Sequence, residues 1–206
     1  MRSPTGRKRC SRAVSRPLSV RFTDVRRPPV PPPSASISLW RTALRSGLLI
    51  AGLGGLAWAT GQPLLFPSLG PTAFVLSMRP DPERHSAWTV IGGHAWGTVA
   101  GLLSYHLLAP GTSIVALEAA LTPMGLQLAA SGACATALTA ALMIGTRTVH
   151  PPACATTLIV SLGLLPTFVE GGLIVGAVAV LYGLSWAGTR YGPAASGGER
   201  SERPPS

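Results

Sequence analysis

Four stretches of this chain are apolar for long enough to cross a lipid bilayer: residues 43–60, 88–108, 124–146 and 171–188. A spanning helix needs about 20 mostly apolar residues, because the hydrocarbon core is about 30 Å thick. In that solvent every backbone polar group must be satisfied internally, which leaves helices or closed barrels. Only 12% of the residues are charged, against about 25% in an average soluble domain. The sequence therefore predicts an all-α integral membrane protein.

Between the full spans lie two apolar segments that proline interrupts. Residues 62–78 carry Pro63, Pro67 and Pro71, and residues 147–163 carry Pro151 and Pro152. Proline removes a donor and clashes inside a helix, so only half-helices are expected, the first over 72–78. The segments align at an offset of 84 residues, with Pro67 against Pro151, Thr72 against Thr156 and Ser77 against Ser161. Each is flanked by two spans. The whole reads as a helical bundle of four full spans plus two Pro-broken segments, in two units over 41–108 and 124–188. If each broken segment crosses, a unit crosses three times and the second unit is inverted, a plan used by transporters. If each re-enters, there are four crossings. Residues 113–121, with Glu118, are predicted to form a short interfacial helix.

The formal charge of +10 resides in the first 45 residues, where eleven basic residues face only Asp24. Residues 1–38 are rich in Arg, Ser and Pro and are predicted to be a disordered tail. Residues 39–190 are the transmembrane domain, and 191–206 a polar tail. A cytoplasmic basic tail obeys the positive-inside rule and also places Arg79, Arg84 and Arg147 inside, with both termini cytoplasmic in a cell membrane. The alternative is a transit peptide and a plastid envelope. The tail has few aromatics to stack on bases, so no nucleic-acid partner is expected. Cys10, Cys134 and Cys154 show no metal spacing; Cys134 and Cys154 read as small buried hydrophobes. No cofactor or metal is called for, and no catalytic constellation appears, so an enzyme is not expected.

Functional groups gather at the breaks. A helix N-terminus carries free N–H groups and the positive end of its dipole, which favour anions. The candidate binding residues are Ser68, Gly70 and Thr72 at the first break, and Arg147, His150, Pro151, Pro152, Cys154 and Thr156 at the second. His94, mid-span, needs a partner; His106 reads as interfacial. Small residues at Gly97, Ala100 and Gly101 would permit a homo-oligomer.

The run Arg147-Thr148-Val149-His150-Pro151-Pro152-Ala153-Cys154-Ala155-Thr156-Thr157 resembles a signature of the HPP family of membrane proteins. Phe66-Pro67-Ser68-Leu69-Gly70-Pro71-Thr72-Ala73 and Gly92-Gly93-His94 resemble two others, so the likeness covers about residues 40–188. Cys154 stands where that family usually has Gly, and residues 79–87 lack its common Pro-Arg-Asn stretch. The resemblance implies a multi-helix membrane protein, and nitrite transport is linked to some members. The expected function is a transporter or channel for a small anion, nitrite-like; the alternative is a non-transporting membrane anchor or partner subunit.

Overall fold

The computed structural model describes residues 39–78 and 85–191. The basic tail, the C-terminal tail and residues 79–84, with Arg79 and Arg84, lie outside them. Six α-helices follow in order: α1 Leu39–Thr60, α2 Leu69–Met78, α3 Ala87–Leu108, α4 Pro123–Thr146, α5 Ala153–Ser161 and α6 Phe168–Tyr191. The pattern long, short, long occurs twice, with α2 and α5 as the short members.

Local chemistry sets most helix starts. Ser86 Oγ accepts from Thr89 N–H at 3.1 Å to begin α3, and Thr122 Oγ1 accepts from Gly125 N–H at 3.0 Å to begin α4, with Pro123 in its first turn. Thr167 and Glu170 form a reciprocal capping box at α6: Glu170 N–H donates to Thr167 Oγ1 at 3.2 Å and Thr167 N–H to Glu170 Oε2 at 3.0 Å. Helix α2 starts at Leu69, three residues before the expected 72, because Pro71 falls within the first turn, where a missing N–H costs nothing.

Three helices, α1, α4 and α6, are long and apolar enough to cross a membrane. Helix α3 has the length, 22 residues, and is no less apolar on average, but it carries buried polar side chains within its span. The reason is its position. Eleven of its residues are buried, including His94, Thr98 and Ser104, whereas α1 buries only Thr42 and Leu53. A helix walled in by protein can carry more polar groups than one facing lipid. The exposed Trp40, Trp58, Trp88 and Trp186 lie near helix ends, as in an interfacial aromatic belt. The helix expected over 113–121 is one 3₁₀ turn, Ile114–Ala116. Ile114 N–H donates across to Leu162 C=O at 3.0 Å, which ties this loop to the end of α5.

The principal packing pairs are α1·α2, α1·α6, α2·α6, α3·α4, α3·α5, α3·α6 and α4·α5. Exchanging α1 with α4, α2 with α5 and α3 with α6 returns the same set. Each short helix packs on the last helix of the other unit, α5 on α3 and α2 on α6. A core of Leu53, Leu69, Val90, Val160, Ile174, Val178 and Leu181 joins the units.

A glycine ladder on α3 carries α5. A Cβ at Gly93 would lie 2.9 Å from His150 Cβ, one at Gly97 2.8 Å from Ala153 C=O, and one at Gly101 2.8 Å from Val160 Cβ. The contacts climb in register, so the second broken segment runs parallel to α3. It ends at Gly163, whose φ of +71° and closeness to Thr112 C=O and the Tyr105 ring leave no room for a side chain. The segment does not turn back on itself. This glycine face is spent inside the chain, so it is unavailable to the second copy that the sequence suggested. Cys134 is exposed on α4 and Cys154 half-buried, so neither is the core residue expected.

Gly97→Ala should cost about 1–3 kcal/mol through overpacking, whereas Gly176→Ala, where nothing lies within 4 Å, should be neutral or stabilising. Thermal unfolding of the detergent-solubilised protein, compared between the two variants, checks this.

Candidate functional site

The ladder brings the second break against the N-terminal half of α3, and α2 closes the third side. At the junction four side chains, each at most 2% exposed, form one network: Thr72 of α2, His94 of α3, His150 before α5 and Thr156 of α5. Thr72 Oγ1 lies 3.0 Å from His94 Nε2 and 3.3 Å from His150 Nε2. His94 Nδ1 lies 2.8 Å from Thr156 Oγ1. The two ring centroids are 5.3 Å apart. The aligned threonines of the two breaks thus hold opposite nitrogens of a single imidazole, and His94 has found its partners.

One hydrogen decides the direction of these bonds. Thr72 Oγ1 also lies 3.0 Å from Ser68 C=O, which can only accept. The roles of the two imidazoles follow their tautomers: with the hydroxyl hydrogen on Ser68 C=O, both donate Nε2–H to Thr72 Oγ1. His94 Nδ1 is left to accept from Thr156, whose hydroxyl makes no bond to its own helix among the described residues. His150 Nδ1 has no partner among the described residues.

His150 has a second environment. With Val75, His85, Thr89, Arg147, Val149 and Pro151 it lines a cavity of about 440 Å³. Arg147 is exposed and terminates α4 with a left-handed φ of +57°. It therefore sits at the mouth, apart from the buried network. His85 belongs to the same cavity, and its Nδ1 is buried with no partner among the described residues. The sequence reading did not single out His85 or Thr89. Their signal was weak, since His85 follows a charged loop and Thr89 looks like an ordinary helix residue.

The remaining expected site residues separate. Gly70 is exposed, and nothing lies within 4 Å of a Cβ built on it. Ser68 is buried, but its Oγ has no partner among the described residues, and its contribution to the network is its carbonyl. Pro151 is exposed on the cavity, Pro152 is half-buried at the start of α5, and Cys154 makes no side-chain bond to the network. His106 is exposed and stacks on Phe168 at 5.6 Å, as an interfacial residue would.

The backbone at the second break is not the anion cradle that the sequence suggested. Ala153, Cys154 and Ala155 N–H donate to His150, Pro151 and Pro152 C=O at 2.9, 3.0 and 3.1 Å, and the two prolines have no N–H to offer. From residue 151 to 155 no donor is free. The polar groups left unpaired around this break are those of side chains.

Long apolar helices, packed around a more buried one that carries part of a His–Thr network, mark a multi-pass membrane protein. The chain belongs to the HPP family: the model of the HPP transmembrane region matches residues 30–191. No curated protein and no solved structure matches the chain.

Thr72→Val keeps the shape but leaves two imidazole N–H groups without an acceptor. It should destabilise the fold by about 2–6 kcal/mol at about 1–3 kcal/mol per buried donor, while Thr72→Ser stays within about 1 kcal/mol of wild type. Denaturant unfolding of both variants provides the comparison.

Proposed function

We propose that this protein carries a small inorganic anion across the membrane, nitrite being the best candidate from its family membership. The observation that carries the reading is the double position of His150. Its Nε2 is fixed in the buried network, while the same residue lines a cavity whose mouth holds the Arg147 guanidinium. A fixed cation at the mouth attracts an anion. Imidazole and hydroxyl groups within replace its water. Polar groups continue beyond the network. Thr98 and Ser161 carry buried hydroxyls with no partner among the described residues. Thr98 lies one turn past His94, and Ser161 ends α5. Unpaired hydroxyls in an apolar bundle are costly, and water or a passing solute would satisfy them.

The same reading takes the two units as an inverted pair with six crossings and both termini cytoplasmic. The exchange symmetry of the packing pairs and the continuous run of the second broken segment along α3 support it. No catalytic role is part of it.

Purified full-length protein in liposomes should give nitrite flux above protein-free vesicles. His150→Ala should lower that flux roughly tenfold to a hundredfold, the equivalent of removing one or two hydrogen bonds to the anion. Background flux from the wild type would refute transport of this anion. Unchanged flux in a folded His150→Ala protein would remove His150 from the pathway.

A further inference from the structure

The hydrogen-bond directions leave one basic nitrogen open. His94 is occupied on both sides. His150 is held through Nε2–H, and its Nδ1 faces no partner among the described residues while the residue lines the cavity. The network is also not a wire. Both imidazoles donate into Thr72 Oγ1, and the hydroxyl hydrogen ends on Ser68 C=O. A proton that reaches His150 from the cavity therefore stays on that ring until it leaves by the same nitrogen.

We propose that the anion binds together with one proton, taken up on His150 Nδ1. This rests on the small-anion reading above and adds the stoichiometry of the bound species. In the step, a hydronium ion from solution reaches the cavity and transfers its proton to Nδ1: an O–H bond breaks, an N–H bond forms, and a neutral water is left behind. The ring becomes an imidazolium with Nε2–H still donated to Thr72. The anion then accepts from Nδ1–H, and the proton and the anion leave the ring together.

The charges around His150 explain why uptake and binding are joined. Among the described residues, the groups that face it are Thr72 from α2, His94 from α3, His85 from the segment before α3, and Arg147 at the end of α4, and none of these carries a negative charge. Of the acidic residues described, Glu170 is bonded to Thr167 at the start of α6 and Glu118 is exposed on the loop after the 3₁₀ turn. A second cation beside Arg147 raises the energy of an empty cavity. An anion between them removes that cost. His85 offers a further imidazole to the same cavity, but its Nδ1 is buried, so it serves the anion as a polar contact.

The sign follows from linkage. A proton bound only in the complex strengthens binding at low pH and is lost as pH rises, while Arg147 stays charged throughout. Nitrite and nitrate binding to the full-length protein in detergent, measured by titration calorimetry from about pH 8 to about pH 6, should tighten about tenfold per pH unit. Each titration, repeated in buffers of different ionisation heat, should show about one proton taken up per anion. His150→Gln, whose amide can still donate to Thr72, should bind more weakly and lose the slope. His85→Gln should weaken binding and keep it. Nitrogen NMR of histidine-labelled wild type should show Nε2–H tautomers for His94 and His150 when empty, and two protonated nitrogens on His150 with nitrite bound. An affinity independent of pH, or an Nδ1–H tautomer at His150 in the empty protein, overturns the proton linkage and leaves anion binding standing. No binding of either anion at any pH overturns the anion reading and the linkage with it.

Discussion

Helix α5 lies against α3 because α3 presents it with no side chains. At Gly93, Gly97 and Gly101 the facing atoms are backbone carbonyls, short side chains and Cβ carbons, so one added carbon would meet something within 3 Å at every rung. Association inside a membrane gains little from the hydrophobic effect and depends on such close contact. The hydroxyl bonds between α4 and α5 build on it, with Ser131 donating to Ser161 C=O at 2.8 Å and Thr139 meeting Thr157 at 2.9 Å. So does the site. Gly93 backs the β-carbon of His150, and that ring reaches Thr72 only from there.

The set of packing pairs is unchanged when the two units are exchanged, but the side chains at the breaks are not all equivalent. Thr72 and Thr156 are equivalent by the 84-residue offset and both bond the same ring. Adding 84 to 94 gives Val178, and subtracting it from 150 gives Phe66, both buried and apolar. Neither histidine has a polar counterpart. The threonines have also diverged in use, since Thr72 gives its hydrogen to its own helix and the hydroxyl of Thr156 is left for His94.

Much of this was legible in the sequence. The apolar runs located α1, α4 and α6, the prolines located both breaks, and the Thr72/Thr156 alignment marked the two residues that meet on His94. What the sequence hid depends on partners far along the chain. Nothing local reveals that Thr72 lies beside His94, 22 residues away, or beside His150, 78 away. Helix α3 read as an ordinary span because length and apolar content do not reveal which helix is central. The free N–H groups expected at the second break were a local rule overridden by local detail, since two prolines and three short turns leave none. Gly97, Ala100 and Gly101 suggest self-association from the sequence, but the surface that Gly97 and Gly101 meet belongs to the same chain.

The buried polar groups of α3 have a consequence for synthesis. The helix brings His94, Thr98 and Ser104 into a solvent that offers them no bonds. The groups that satisfy His94 from the far side, Thr156 and the ring beside it at His150, are made roughly 50 residues after α3 is complete, several seconds at about 5–20 residues per second. The order in which the ribosome makes the helices leaves the one that carries His94 waiting for its partners.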